Sequence, residues 1–436
     1  MSRIALLPSV AVTCNSHFEI VKNAAIHIEN NRIVYVGASS TRPPFEADET
    51  IGGDHLVALP GLVNTHTHAA MTLLRGYADD MALETWLQEK IWPLESNLSP
   101  DDVYNGTLLA CAEMLSGGTT TCADMYFSYD QGARAFAESQ MRAVVGGVFL
   151  GILPQPEKRI ADAVAFARAC QIEYSKFGGL LSPSLAPHSL YTCTRDHWQK
   201  MLDAAREIGC LLHTHLQETE RELRDVKALW GATPIQSLHQ MGALEGPLLG
   251  AHCVHLDERD LEIISSTRLR VAHNPTSNLK LASGFAPLHT FVERGIETGI
   301  ATDGAASNND LDMWEEMRLA ALLVKGVTRD ATQVSARQAL EMATIGGARC
   351  LGLGEQIGSL EVGKHADIVL MNFDKPHLTP RHNVVSHLVY AAKAGDVDTV
   401  LVEGRVLVRN GAFTQLDQER VLRNAQHSAT RLVGAL

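Results

Sequence analysis

The sequence predicts an α/β protein: a (β/α)8 barrel of the TIM type, with a small β-sandwich domain built from both chain termini. Three observations predict it. Eight short apolar runs recur through the middle of the chain, amphipathic helical stretches lie between most of them, and both ends read as strands and turns. Strands alternating with helices make parallel βαβ units, and eight such units suggest a closed barrel. A chain of 436 residues is too long for one ordinary compact core but suits a barrel with an appendage. The expected division is residues 1–58 and 359–436 for the composite β domain and 59–358 for the barrel.

The elements follow in order. "AAIHIENNRIVYVG" is two apolar runs around Asn30-Asn31, a hairpin signal because Asn tolerates positive φ. The eight runs are "VALPGLVNTH", "GTTTCADM", "AVVGGVFLG", "LLSPSLAPH", "LLHTHL", "LLGAHCVH", "LRVAHNP" and "ETGIATDG". Between the first two, "SPDDVYNGTLLACAEMLSGG" opens on Ser99 as N-cap, with Pro100 and two acids in the first turn, and stops at Gly117-Gly118. "DHWQKMLDAAREIGC" is a second amphipathic helix. Near the C-terminus, "GSLEVGKHADIVLMNF" and "VDTVLVEGRVLVRNGAF" return to strands, the latter turning at Glu403-Gly404.

Catalytic groups of such barrels collect at the C-terminal ends of the strands. Run one ends in His66-Thr67-His68, and on a strand residues i and i+2 share a face. Run four ends at His188, run five at His215 with Glu218 three residues on, run six at His252 and run eight at Asp303. Imidazole nitrogens suit Zn2+, Fe2+ and similar metals, and a carboxylate is a common further ligand. His66, His68, His215 and Asp303 make such a set, with room for one water whose pKa a divalent ion lowers to about 7. His252 is placed to orient or deprotonate that water, and Glu218 to shuttle a proton, provided its surroundings keep it neutral. Most of the nineteen histidines receive no role, among them those of the terminal β regions. His213 shares the face of His215 but lies deeper in its strand and is read as an interior residue. His255 and His273 rank behind the strand-end set, and Cys122, Cys193 and Cys253 are read as packing residues.

Composition narrows the partners. The chain is 45% hydrophobic and 20% charged, as ordinary globular proteins are. A net charge of −13 with both signs interspersed argues against nucleic acid and for a small or neutral ligand. The eight cysteines show no CxxC spacing, which suits a reducing compartment. With no signal-like N-terminus and no apolar stretch near ~20 residues, the expectation is a cytoplasmic protein without a membrane partner.

"PGLVNTHTHAAMTLLRG", "HTHLQET", "AHCVH", "VAHNPTSNLKLASG" and "ATDGAASNNDLDMWEEMR" resemble the amidohydrolase superfamily over essentially the whole chain. The similarity is closest to its branch of 5′-methylthioadenosine/S-adenosylhomocysteine deaminases, with triazine hydrolases and guanine deaminases as cousins. The resemblance implies one divalent metal per subunit, Zn2+ ahead of Fe2+ or Mn2+, because "LLSPSLAPHSL" offers His188 but no bridging Lys. It implies His66, His68, His215 and Asp303 as ligands, His252 as the water-positioning histidine, Asp303 as acceptor of the water proton and Glu218 as proton donor to the purine ring. On the substrate side it implies Glu95 on the ribose hydroxyls and His188 on the nucleoside. Trp86, Leu87 and Trp92 of the lid segment "LETWLQEKIWPLESNL" are expected to form an apolar wall for a methylthio group. A homo-oligomer, dimer or tetramer, is also implied.

The expected reaction is hydrolytic deamination of the adenine moiety of 5′-methylthioadenosine, extending to S-adenosylhomocysteine or adenosine. Relatives that take S-adenosylhomocysteine hold its carboxylate with Arg. Arg142 and Arg159 flank run three but neither matches that position, so 5′-methylthioadenosine is favoured. The rivals are an amidohydrolase acting on another heterocycle (guanine, a pterin or a triazine) and a non-catalytic scaffold, which the intact ligand set disfavours.

Overall fold

The structure is a computed structural model that describes residues 2–173 and 179–434. Five strands open the chain: β1 (Arg3–Val12), β2 (Ile20–Lys22), β3 (Ala24–Glu29), β4 (Arg32–Ala38) and β5 (Glu49–Pro60). Eight more follow: β6 (Leu62–Thr67), β7 (Thr119–Tyr126), β8 (Arg142–Phe149), β9 (Leu181–Pro187), β10 (Leu211–Leu216), β11 (Leu248–His252), β12 (Leu269–His273) and β13 (Thr298–Ile300). These eight are one parallel sheet in sequence order. Each contains part of one of the eight apolar runs, as strands buried on both faces should. The sheet nearly closes on itself: Thr65 Oγ1 donates to Ile300 O at 3.0 Å and Asp303 N to His66 O at 3.0 Å. That closure brings Asp303 beside the histidine pair.

The helix predicted after run one spans Pro100–Ser116. Ser99 and Asp102 form a reciprocal capping box at its start, and Gly118 at φ +84 ends it. The second predicted helix spans Arg195–Ile208.

The remaining strands, β14 (Ile368–Asn372), β15 (Val397–Val402), β16 (Arg405–Arg409) and β17 (Ala412–Phe413), join β1–β5 in a nine-stranded mixed sheet. Ile4, Leu6, Ile26, Ile28, Leu370 and Leu401 belong to a core of its own. Both predicted turns form, with Asn30 at φ 55 and Glu403-Gly404 at φ 52 and 69. The two turns touch: Asn31 Nδ2 donates to Glu403 Oε2 at 2.7 Å, and a Cβ on Gly404 would lie 2.1 Å from Asn30 O. The helix Gln418–Gly434 leaves this sheet and packs on Pro100–Ser116, where Asn105 Nδ2 meets Ser428 Oγ at 3.2 Å. Among the described residues no helix is long and apolar enough to cross a membrane, and the eight cysteines are buried.

Arg142, at the start of β8, joins barrel to sheet. Its side chain is 1% exposed, forks onto Asp367 at 2.8 and 3.2 Å and also pairs with Glu403. Removing the guanidinium would leave buried Asp367 without its cation and Glu403 with only His365 and Asn31 as side-chain partners. Arg142→Leu is therefore expected to cost about 3–5 kcal/mol of stability, read as a lower denaturant midpoint at unchanged slope. The folded fraction should keep its turnover, since Arg142 is remote from the site described next.

Candidate active site

The strand ends deliver their side chains through short, strongly held turns. After β6 the chain bends away where Asp124 Oδ1 accepts the Ala69 N–H at 2.7 Å. After β10, Gln217 turns the chain at φ 52, and Glu222 accepts the N–H groups of Gln217 (3.1 Å) and Glu218 (2.8 Å). That fixes Glu218 over the mouth. His252, Cys253 and Asp303 have φ of 74, 47 and 60. Three left-handed non-glycine residues here are strain of the kind that gathers at functional sites.

The four expected ligands converge. His68 Nε2 lies 3.2 Å from His215 Nε2, and Asp303 Oδ1 lies 3.3 Å from the Nε2 atoms of both His66 and His68. Two ligand atoms each about 2.0–2.1 Å from a tetrahedral ion are about 3.3 Å apart. The opposite ring edges fix the tautomers: His68 Nδ1 donates to Met125 O at 2.5 Å and His215 Nδ1 to His188 O at 3.0 Å. Their Nε2 atoms therefore face each other as lone pairs, an arrangement that a cation between them satisfies. His66 Nε2 and Asp303 Oδ1 are buried with no hydrogen-bond partner among the described residues. Asp303 Oδ2, by contrast, accepts from Ser277 Oγ (2.7 Å) and Ser307 Oγ (2.8 Å). A ligand atom of His252 also lies within 4.8 Å of those of His66 and His215. The donor set fits a divalent metal of the zinc class, and the site is a His-rich potential metal site.

Protonation agrees with that chemistry. Burial pushes the His66 imidazole down to about 4 and His215 well below its usual value, so both are neutral near pH 7. Burial alone would raise Asp303, but the facing His66 and His68 outweigh it and hold the carboxylate ionised. His252 Nε2 stands 3.8 Å from Glu218 Oε2. Burial disfavours its cation, yet the nearby Glu218 and Asp303 charges win and raise it. Burial raises Glu218 against the pull of His252 and the Ser283 hydroxyl, which donates to Oε1 at 3.0 Å.

Above this cluster a cavity encloses about 710 Å³ of empty space, solvent at its mouth included. His68, His188, His215, Glu218, His252 and Asp303 line its floor, and Trp86, Leu87, Trp92 and Glu95 of the lid segment line its wall. His66 lies beneath, fully buried. Glu95 accepts the Tyr126 hydroxyl at 2.7 Å. Burial pushes its carboxyl up to about 7 against that hydrogen bond. His188 Nδ1 is held by Ser189 and Thr192 hydroxyls at 3.1 Å each, which turns its other nitrogen to the cavity. Neither Arg142 nor Arg159 reaches the lining; Arg159 is exposed and donates to Pro154 O.

Some residues of this site carried no sequence signal of their own. Ser277, Asn278 and Ser283 lie within "VAHNPTSNLKLASG" and Ser307 within "ATDGAASNND", but single small polar residues have no spacing to read. Asn278 Oδ1 meets His252 Nδ1 at 2.9 Å. Glu316 ties the two short serine-bearing helices together, accepting Thr276 N at 3.1 Å and Asn308 Nδ2 at 2.7 Å. His213, read as an interior residue, proves to touch His66, with 2.8 Å between Nε2 and Nδ1.

Known proteins share this architecture. The chain is 49% identical over 409 residues, 94% of each chain, to a 5-methylthioadenosine/S-adenosylhomocysteine deaminase of Desulforudis audaxviator. It is 44% identical over 434 residues, 99% of each, to the protein of the same name from Pelotomaculum thermopropionicum. The crystal structure of an adenosine deaminase from Xanthomonas campestris with bound zinc matches at a TM-score of 0.95, with 35% identity and 99% of each chain covered. The model of the amidohydrolase family matches residues 57–407. By its sequence over that span and by the barrel that carries its strand-end histidines, the chain belongs to the amidohydrolase family.

Proposed function

We propose that the protein is a metal-dependent hydrolytic deaminase that converts the adenine moiety of 5′-methylthioadenosine-type nucleosides to the inosine analogue and ammonia. One observation carries this reading above all: a single cavity has His68, His215, His252, Asp303 and Glu218 on its floor and a carboxylate, Glu95, on its wall. The first group suits attack on a ring carbon bearing an amine, and the second suits a sugar diol. Relatives of 42–49% identity named as 5-methylthioadenosine/S-adenosylhomocysteine deaminases support the same reaction.

His66, His68, His215 and Asp303 would hold the ion, for which zinc is proposed on the zinc-bearing relative. When bound, a divalent ion there supplies Lewis acidity and a water activated at neutral pH. The chain's own residues do the rest. His252, fixed by Asn278, orients the water toward C6 of the purine. Asp303 takes the water proton; Ser277 and Ser307 hold its other oxygen and so aim Oδ1. Glu218, whose carboxyl burial pushes above its usual value, gives a proton to the ring nitrogen next to C6, which lets C6 become tetrahedral. A proton returned to the exocyclic amine releases ammonia. Trp86, Leu87 and Trp92 cover the 5′ substituent and exclude water, and His188 contacts the nucleoside.

A panel of adenosine, 5′-methylthioadenosine, S-adenosylhomocysteine, guanine and a triazine in a coupled ammonia assay tests this, alongside elemental analysis for zinc, iron and manganese. No arginine lines the cavity among the described residues, so the carboxylate of S-adenosylhomocysteine gains no buried ion pair. The expected result is a higher kcat/KM for 5′-methylthioadenosine than for S-adenosylhomocysteine. Equal efficiencies would overturn that order without touching the deamination itself.

A further inference from the structure

We propose that His213 is a positioning residue of the metal centre: its Nε2 accepts the hydrogen bond that His66 donates from Nδ1 when His66 offers Nε2 to a divalent cation. The proposal rests on the metal reading of the site above and adds to it a residue outside the ligand set.

A neutral imidazole has one proton, and a ring that gives one nitrogen to a metal must place that proton on the other. His68 and His215 solve this with main-chain carbonyls, those of Met125 and His188. Carbonyls can only accept, so each of these rings has one fixed tautomer. His66 is different. Its Nδ1 faces His213 Nε2 at 2.8 Å, the two rings edge-on at 79° with centroids 4.9 Å apart. Both are fully buried, so bulk water does not compete for that proton.

The topology explains why a side chain does this work. β6 and β10 stand four places apart in a ring of eight strands, on opposite sides of the barrel. Alternate strands fill the same interior layers, so a side chain on β10 meets one on β6 across the axis. His213 lies two residues before His215, on the same face and deeper. It is thus beneath the ligands, where His66 points its free edge. Ladder carbonyls lie in the barrel wall, bonded along the sheet, and do not reach into that layer.

An imidazole partner differs from a carbonyl because it can also donate. The pair has two arrangements with the same two protons. In one, His66 Nδ1–H donates to His213 and His66 Nε2 is a free lone pair. In the other, His213 Nε2–H donates to His66 Nδ1, and His66 Nε2–H faces Asp303 Oδ1 at 3.3 Å. Only the first is compatible with a cation. It leaves a proton on His213 Nδ1, which has no hydrogen-bond partner among the described residues. His66 is therefore the ligand whose availability a neighbouring side chain controls.

The test is zinc affinity of the full chain, stripped of metal and titrated against a chromophoric chelator. His213→Leu removes the acceptor; His213→Gln keeps an amide oxygen near the place of Nε2. The leucine variant is expected to bind zinc about 10–100-fold more weakly, and the glutamine variant within a few-fold of wild type. Circular dichroism and the thermal midpoint of each metal-free variant show whether it is folded, and His213→Phe, which keeps a ring, replaces leucine if that variant does not fold. Wild-type affinity in all variants overturns the proposal, as does an equal loss in the glutamine and leucine or phenylalanine variants, which would mark a packing role. Wild-type protein that binds no zinc would refute the metal reading itself and the proposal with it.

Discussion

Glu218→Gln is expected to lower kcat on 5′-methylthioadenosine by about 10²–10⁴-fold, the usual worth of a positioned general acid, with metal content unchanged. The reasoning starts from the position of the carboxyl. The N–H groups of Gln217 and Glu218 are both anchored on Glu222, so the backbone cannot follow a change of side chain. Ser283 Oγ reaches Glu218 Oε1 at 3.0 Å, and a glutamine oxygen would accept the same bond. Shape and hydrogen bonding survive, while the transferable proton does not. Glu218 is outside the ligand set, so the zinc-to-protein ratio should stay at the wild-type value. A pre-formed transition-state mimic with a tetrahedral C6 should lose affinity along with kcat, whereas product should bind almost as before. Undiminished turnover would remove Glu218 from the proposed mechanism. Loss of metal together with turnover would instead assign it a structural part in the metal centre.

That prediction depends on a site whose frame was readable from residue order alone, for a physical reason. Parallel strands buried on both faces must be nearly continuous apolar runs, so a chemically active side chain at the end of a run stands out. His66, His68, His215, Glu218, His252 and Asp303 were all found in this way, and the barrel brings them together because every strand ends on the same rim. The groups that hold them were not readable. Ser277 and Ser307 reach Asp303 from short helices after β12 and β13, and their pairing depends on closure of the barrel rather than on any local pattern. His213 shows the same limit from the other side. Its spacing to His215 was visible, but its partner is 147 residues away across the barrel, and depth within a strand does not say what lies opposite. Arg142 stands just before run three as an isolated charge, and only the arrival of Asp367 and Glu403 from beside the C-terminal strands explains it.

Glu95 offers the sharpest separation of a nucleoside deaminase from its heterocycle-hydrolysing rivals, and its effect should depend on pH. Glu95→Leu is expected to raise KM for 5′-methylthioadenosine by about 10–100-fold, since hydrogen bonds to a charged acceptor contribute about 1.5–3 kcal/mol each. kcat should change far less, because the sugar lies away from the reacting carbon. Free adenine, which has no ribose, should show the same kcat/KM in variant and wild type. The pH profile follows from the position of the carboxyl. Burial lifts Glu95 to about 7 even though the Tyr126 hydroxyl, donating at 2.7 Å, favours the ionised form. Below that pH the group is protonated and presents a donor where the sugar hydroxyls need an acceptor; above it the carboxylate can accept from both. Riboside affinity should therefore rise from pH 6 to pH 8 and then level, a limb absent for adenine and absent for riboside in Glu95→Leu. An equal loss on nucleoside and free base would show that Glu95 acts on the ring or on the fold of the lid, and would return the heterocycle hydrolases to first place.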